Sequence, residues 1–198
     1  APPSDYGDAP GSYGDAGHEI LATPTVYLGS TKPDQESGTQ LGTDNGAAAA
    51  GDDNNGDDED AFTTLANVST IDNYDIIVPV KNTSGGNATL HAWVDFNKNG
   101  KFESGEYQSV TVANNSTSAN LNWTIPSGTT PGDTYIRFRL TTENLTDNST
   151  TTNLDERSIG NVINGEVEDY KVAIEPVPSL SPLSIGFCEV TITNGSFE

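Results

Sequence analysis

Apolar and polar residues alternate with a period of two in a series of short runs between residues 62 and 175. In NYDIIVPVKN every second position from Tyr74 to Val80 is apolar, and TYIRFRL repeats the pattern from Ile136 to Leu140. Such alternation, with turn-forming residues between the runs, is typical of strands that bury one face. Since no stretch has the period of a helix, the pattern predicts an all-β chain of roughly seven antiparallel strands in an Ig-like or jelly-roll-like β-sandwich.

The same alternation assigns the polar residues of the strands to the opposite face. In ATLHAWVDF we expect His91 and Trp93 to lie opposite the apolar face, with His91 at the strand surface. In TYIRFRL, Arg137 and Arg139 alternate with the apolar positions. Because opposite charges on neighbouring strands attract, we expect these two arginines to pair with acids across strands.

The composition divides the chain into four parts. Residues 1–61 contain one strand-like run, TPTVYLGS, and are otherwise rich in glycine and acid, which predicts an irregular acidic segment that wraps the sandwich of residues 62–175. Residues 176–183 are a linker rich in proline and serine. Residues 184–198 have strand composition but are too few for a domain, so they either pair with a partner as an added strand or begin a next domain.

The charge of the chain is strongly unbalanced, because 29 acids against 8 lysines and arginines give a formal net charge of −21. This charge repels phosphate backbones and anionic lipid surfaces, which argues against nucleic-acid and membrane partners. It suits a well-solvated surface or a protein that binds cations. No apolar run approaches the roughly 20 residues needed to cross a bilayer. The single Cys188 cannot form an internal disulfide, so a secreted chain needs another cross-link, for which metal is the candidate.

The stretch DFNKNGKFESGE, from Asp95 to Glu106, fits the twelve-residue calcium loop that usually joins two helices. Carboxylate, amide and carbonyl oxygens are hard ligands, which suit Ca²⁺ better than zinc or copper. The ligands are local to the loop, so strands can hold its ends as well as helices can. The alternative is a β-hairpin that turns at Asn-Gly. The candidate ligands are Asp95, Asn97, Asn99, the carbonyl of Lys101 and Glu106, with Gly100 at the sharp turn and Phe102 as the apolar anchor.

A second group of acids is crowded together in the sequence. Neighbouring carboxylates raise one another's pKa unless a cation neutralises them, so this acidic run is a second candidate metal site. The alternative is a solvated acidic loop. The acidic run consists of Asp52, Asp53, Asp57, Asp58, Glu59 and Asp60, and the later motif GEVEDY adds Glu166, Glu168 and Asp169.

Several motifs occur in a distinctive order: SDYGDAPGSYG, YLGS, GDD with DDED, WVDFNKNGKFESGE, TYIRFRL and GEVEDY. In this order they resemble the GEVED domain family, over roughly residues 4–175. The resemblance implies a β-sandwich module without catalytic activity, found in secreted and cell-surface microbial proteins that are often adhesin-like. It also implies that Asp5, Asp8, the acidic run and the GEVEDY acids belong together as metal ligands. One departure is Ala61, where the family usually has glycine after DDED, and this disfavours an EF-like turn there.

Sequons for N-glycosylation are frequent in the chain. They are modified only if the source organism has the transferring enzyme, in which case the outer surface is expected to be densely glycosylated. The nine sequons begin at Asn67, Asn82, Asn87, Asn114, Asn115, Asn122, Asn144, Asn148 and Asn194.

The sequence disfavours an enzyme. His18 and His91 are the only histidines, and neither lies in the spacing of a Ser/His/Asp triad or of a metal hydrolase. Glu166 and Glu168 share one face of a predicted strand, and two such acids are a weak acid/base pair unless their environments differ. We therefore predict no catalytic residues.

Together these features predict an extracellular, calcium-stabilised module with a structural or adhesive role in a microbial surface protein or surface filament. The expected cofactor is Ca²⁺, and the expected partners are other copies of the chain or neighbouring domains joined by strand addition, with surface glycans as a further partner. The alternative is a carbohydrate-binding module of a secreted multidomain protein, in which Trp93, Trp123 and exposed tyrosines stack on sugars. Both interpretations predict a secreted or cell-surface location.

Overall fold

The computed structural model describes residues 2–33, 35, 61–148 and 153–177. These residues are all-β, as predicted, and their only helical turns are short 3₁₀ turns at Gly11–Tyr13, Ser104–Glu106 and Glu156–Ser158. The strands of the described residues are β1 (Ser4–Tyr6), β2 (Ala16–Glu19), β3 (Val26–Leu28), β4 (Val68–Ser69), β5 (Tyr74–Asn82), β6 (Ala88–Val94), β7 (Tyr107–Val112), β8 (Ser118–Trp123), β9 (Gly132–Thr141), β10 (Gly160–Val162) and β11 (Glu166–Glu175).

The strands form three sheets. The large sheet has the order β4-β11-β9-β6-β7, the small sheet has the order β3-β5-β8, and a third sheet joins β1 and β2 to β10. Pairing is antiparallel in all but two pairs, since β10 runs parallel to β2 and β11 runs parallel to β4. The large and small sheets enclose the main core and form the predicted sandwich, and the third sheet adds a layer on the other side of the large sheet.

The main core consists of the alternating apolar positions of the facing strands. On β9, Ile136, Phe138 and Leu140 are fully buried. They belong to the same apolar cluster as Val78 of β5 and Trp123 of β8. Burial of each large apolar side chain stabilises the fold by about 1.5–3 kcal/mol. The sequence pattern therefore identified correctly which face of β5, β6 and β9 is turned to the core.

The opposite face of the large sheet is buried as well. We call residues 4–20 the N-terminal layer; they carry β1 and β2 and pack on this face through a second apolar cluster. That cluster consists of Ala9, Tyr13, Trp93, Phe102 and Tyr135. The prediction that His91 lies at the strand surface is wrong, because it is 4% exposed and stacks beside Trp93 and Tyr107.

A buried ion pair joins the two central strands of the large sheet on this covered face. Arg137 and Asp169 are directly opposite each other on β9 and β11. The Arg137 Nε and Nη2 atoms donate to the two Asp169 carboxylate oxygens, each at 2.7 Å, and neither side chain is exposed to solvent. Arg137 Nη1 donates to the carbonyls of Gly14 and Ser158. The predicted cross-strand pairing is thus confirmed for Arg137.

Arg139 is held differently, by neutral acceptors. Its Nε donates to His18 Nε2 at 3.1 Å, and its terminal nitrogens donate to backbone carbonyls that include those of Ile159 and Gly160. Since His18 Nε2 accepts this bond, the ring proton is on Nδ1, which lies 2.8 Å from the Asn164 carbonyl oxygen. His18 is fully buried and must be neutral to make both contacts.

Replacement of Asp169 by asparagine should lower the free energy of unfolding by about 3–5 kcal/mol, because it leaves the Arg137 charge buried without a counter-ion. The matched control is Asp133→Asn, which removes the partner of Lys171 from an ion pair of 3.3 Å in which the Asp133 side chain is 68% exposed. That change should cost less than about 1 kcal/mol. Urea unfolding measures both, and equal losses would contradict the assignment.

The stability of the chain should decrease in mild acid. Burial, aided by nearby arginines, lowers the pKa of His91 to about 4 and that of His18 well below its usual range. Below pH 6.5 the unfolded chain therefore binds protons that the folded chain does not. Each imidazole should lower the free energy of unfolding by about 1.4 kcal/mol per pH unit as the pH drops from about 6.5 toward 4, and the carboxyl of Glu106, whose pKa is raised to about 8, opposes one of the two.

Urea unfolding between pH 7 and pH 5 measures this loss, and His91→Gln should reduce it by removing one titrating ring. NMR titration of the folded chain provides an independent readout, since both rings should remain neutral at pH 6. A ring that titrates near pH 6.5 in the folded state would contradict the prediction.

Candidate metal centre

The predicted calcium loop connects β6 to β7 at the edge of the large sheet. Asp95 directly follows β6, and its backbone N–H donates to the Tyr135 carbonyl on β9 at 3.1 Å. Glu106 directly precedes β7, and its carbonyl accepts from the Trp123 indole nitrogen at 2.8 Å. Strands of both facing sheets therefore fix the two ends of the loop, where helices would do so in a helix–loop–helix site.

Inside the loop, side-chain oxygens accept from backbone N–H groups two to five residues later. Asp95 Oδ1 accepts from Asn99 at 3.2 Å, and Asp95 Oδ2 accepts from Gly100 at 2.8 Å. Asn97 Oδ1 accepts from Asn99 at 2.9 Å, and Asn99 Oδ1 accepts from Lys101 at 3.0 Å. Gly100 has φ of 77°, which permits the sharp turn. These bonds orient the side-chain oxygens of three alternate residues, Asp95, Asn97 and Asn99. In a calcium loop these residues occupy ligand positions 1, 3 and 5.

The last residue of the loop folds back over its first residues. Glu106 is 5% exposed, and its Oε1 accepts from the backbone N–H of Phe96 at 2.9 Å, while its Oε2 accepts from that of Glu103 at 3.1 Å. Burial raises the pKa of Glu106 to about 8, with a further contribution from the Asp95 carboxylate. The loop thus holds two neighbouring carboxylates in a buried setting.

The donor atoms of the loop are all oxygens. Asp95 is fully buried, and neither it nor Glu106 forms an ion pair with a base among the described residues. A divalent cation would neutralise both charges at once. The described part of the chain has no cluster of three or more His, Cys, Asp or Glu side chains arranged to hold a metal. Only two of the loop's candidate ligands are carboxylates, and the others are amide and carbonyl groups, which suit a hard cation such as Ca²⁺.

A cleft leads from solvent to the loop. It has a volume of about 330 Å³. Asn97, Glu103 and Glu106 line it on the loop side, and residues 126–130 line it on the other. A cation could approach Glu106 and Asn97 through this cleft, whereas Asp95 is fully buried and does not line it.

The acids of the GEVEDY motif attach N-terminal parts of the chain to β11. Glu166 Oε2 accepts from the Leu28 N–H. Both carboxylate oxygens of Glu168 accept from the Ala61 N–H at 3.2 Å. Asp169 Oδ2 accepts from the Ala9 N–H at 2.8 Å, in addition to its bonds with Arg137. The motif therefore fastens three separate points of the N-terminal region to one strand.

The structure also brings the two N-terminal aspartates of the predicted ligand set to this strand's side of the fold. Asp5 is buried, and its Oδ2 accepts from the Val167 N–H at 2.8 Å. Asp8 is buried one residue before Ala9. The acidic run, from Asp52 to Asp60, lies outside the described residues.

Sequence reasoning missed Asp155, which stabilises the same covered face. It is fully buried and accepts from the Trp93 indole nitrogen at 2.9 Å and from Arg157 Nη2 at 2.7 Å. The Arg157 guanidinium lies 3.5 Å from the centre of the Tyr107 ring. The only local feature that marks Asp155 is the short 3₁₀ turn that follows it, which its side chain caps. Its contact with Trp93 spans 62 residues and leaves no pattern in the sequence.

Both tryptophans on which the carbohydrate-binding interpretation depends are buried. Trp93 and Trp123 are at most 2% exposed, and each indole nitrogen donates to a protein oxygen. Neither ring face is available to stack on a sugar. A carbohydrate site would have to use other residues.

Most sequons within the described residues are exposed. Asn82 differs, because it is fully buried and its Nδ2 donates to the carbonyls of Gly86 at 2.9 Å and Val112 at 2.8 Å. Asn194 lies outside the described residues. The exposed sequon asparagines are Asn67, Asn87, Asn114, Asn115, Asn122, Asn144 and Asn148.

Comparison with known proteins identifies one family. Residues 89–173 match the family model of the GEVED domain. The matched range begins in β6 and ends in β11, so it includes the predicted calcium loop, both buried arginines and the acids of the last motif. Neither the curated proteins nor the solved structures contain a match to the chain. In the described ranges there is no helix long and apolar enough to span a membrane.

Proposed function

We propose that this chain, whose residues 89–173 match the GEVED domain, is a calcium-stabilised structural module of an extracellular protein. The observation that carries the proposal is the loop between β6 and β7. It buries two neighbouring carboxylates, Asp95 and Glu106, beside amide and carbonyl oxygens at the spacing of a calcium loop. A hairpin that turns at Asn-Gly does not require two buried acids next to each other, and their desolvation, which bonds from backbone N–H groups offset only in part, is costly without a cation.

Five groups would hold the ion. Asp95 and Glu106 would supply charge, and Asn97, Asn99 and the Lys101 carbonyl would supply neutral oxygens. Bound calcium would neutralise the two acids and fix the β6–β7 connection. Because β6 lies beside β9 in the large sheet, a fixed loop would also stabilise the strand that carries the buried arginines.

The remaining acids are proposed as a second calcium region. The crowding of the acidic run, Asp52 to Asp60, supports this, because adjacent carboxylates repel unless a cation lies between them. Asp169 is already neutralised by Arg137, so its evident role is to fasten the N-terminal layer. The second region would therefore draw its ligands from the acidic run with Asp5, Asp8, Glu166 and Glu168.

The location and partners follow from the resemblance to GEVED proteins and from the charge. A net charge of −21 and the abundance of exposed sequons support a secreted or cell-surface protein of adhesive or filament-forming type. The proposed partners are further copies of the chain or neighbouring domains. The strand-like composition of residues 184–198 supports contact by strand addition.

Calcium should raise the melting temperature. A ligand that binds only the folded state stabilises it by about 2.7 kcal/mol at a hundredfold excess over Kd. For a chain of this size, that corresponds to an increase of roughly 5–10 °C. Calorimetric melting in calcium, in magnesium and in EDTA measures the effect, with magnesium as the control for charge screening. Identical melting curves in calcium and EDTA would refute the proposed function.

Removal of either carboxylate should abolish one calcium site. Asp95→Ala and Glu106→Ala each delete a charged ligand, so the stoichiometry of calcium binding should drop by one in both variants. Asp75→Ala is the control, because Asp75 is exposed on β5, outside the loop. Isothermal titration calorimetry measures the stoichiometry. If both loop variants retain the wild-type value, the Asn-Gly hairpin is the correct interpretation of the loop.

A further inference from the structure

The N-terminal layer contacts the calcium loop directly through Tyr13. The Tyr13 hydroxyl donates to Asp95 Oδ2 at 2.7 Å, across 82 residues of sequence. The Tyr13 ring lies 4.6 Å, centre to centre, from the ring of Phe102 in the loop. Next to it, a Cβ atom placed on Gly100 would come within 2.9 Å of the Ser12 hydroxyl. The 3₁₀ turn at Gly11–Tyr13 therefore rests on the loop from outside.

These contacts leave a distinct role for each oxygen of Asp95. Oδ2 accepts from both the Tyr13 hydroxyl and the Gly100 N–H, so its hydrogen-bonding capacity is occupied. Among the described residues, Oδ1 accepts only from the Asn99 N–H, at the longer distance of 3.2 Å. The carboxylate is thus oriented with Oδ1 as the oxygen available to a cation. The carbonyl of Asp95 is held by the Thr134 hydroxyl, so the backbone of this residue is fixed as well.

We propose that Tyr13 is a positioning residue for the calcium loop, and that it couples calcium binding to the docking of the N-terminal layer. This inference rests on the proposed calcium function. Partners that orient a ligand from outside the coordination sphere typically change metal affinity by 10- to 100-fold. Coupling of two binding events is reciprocal. Calcium in the loop therefore strengthens the docking of residues 4–20 by the same factor that docked Tyr13 strengthens calcium binding.

The coupling explains why the Tyr13 hydroxyl contacts Asp95, a contact that calcium binding by the loop alone does not require. A loop held by β6 and β7 could bind its ion without any N-terminal contact. Here a buried tyrosine, with its ring in the second apolar cluster, brings its hydroxyl to the first ligand of the loop. The N-terminal layer is also fastened to β11 through Asp5 and Asp169. Calcium thus strengthens a further point of attachment, at the turn between β1 and β2.

The test uses Tyr13→Phe, which removes the hydroxyl and keeps the ring. Its matched control is Tyr74→Phe, which removes the hydroxyl of another buried tyrosine, bound to the Ala66 carbonyl at 2.5 Å in the main core. Titration calorimetry should show calcium affinity 10- to 100-fold weaker in Tyr13→Phe and unchanged in Tyr74→Phe. Hydrogen–deuterium exchange of residues 4–19 should slow when calcium is added to the wild type, and slow much less in Tyr13→Phe.

These experiments distinguish a failure of the proposed role of Tyr13 from a failure of calcium binding itself. Wild-type protein that binds no calcium would overturn both. Wild-type protein that binds calcium, together with Tyr13→Phe of equal affinity and equal exchange response, would overturn only the role of Tyr13. If Tyr13→Phe does not fold, exchange of residues 4–19 in the wild type with calcium and with EDTA decides the coupling, and equal rates would overturn it.

Discussion

The buried charge of Arg137 constrains the rest of the architecture. A guanidinium without access to water needs acceptors for its N–H groups, since each unpaired group costs free energy. Its carboxylate partner comes from β11, and its carbonyl acceptors come from Gly14 in the N-terminal layer and from Ser158 in the 3₁₀ turn before β10. The N-terminal layer is therefore an integral part of the sandwich, because without it this charge would be left partly unsatisfied.

Arg139 lies two residues further along β9 and is subject to the same constraint, but its hydrogen-bond acceptors among the described residues include no acidic side chain. Its acceptors are one neutral histidine and a set of backbone carbonyls. Burial lowers the pKa of Arg139 to about 9, so its charge depends on the geometry of these neutral dipoles. Two adjacent cations on one strand explain why the covered face of the large sheet is rich in polar contacts, whereas the face turned to the small sheet is apolar.

The sequence predicted those parts of the structure that depend on local spacing. Alternation along β5 and β9 identified the strands and the core face, because a strand exposes the same side at every second residue. The loop from Asp95 to Glu106 could be predicted as a candidate calcium site because the ligand positions of such a loop are continuous in the chain. His91 was misplaced because alternation shows only that a polar side chain faces away from the main core. It carries no information on whether another layer covers that face.

The contacts that close the covered face could not be predicted in this way. Tyr13 and Asp95 are separated by 82 residues, and Ala9 and Asp169 by 160. Nothing in the residue pattern near position 13 distinguishes a tyrosine that orients a loop from one exposed to solvent. The order of motifs indicated that the N-terminal and GEVEDY acids belong together, and the structure adds that several of them act as acceptors for backbone N–H groups.

The burial of Asn82 has a consequence for how the protein is made. Glycan transfer uses the asparagine side-chain nitrogen. In the folded chain that nitrogen is fully buried and donates to two carbonyls. A sugar attached there during synthesis would occupy space that the strands need for pairing. Recombinant production therefore calls for a host without sequon glycosylation, or for Ser84→Ala, which removes the sequon and keeps the Asn82 nitrogen that donates to both carbonyls.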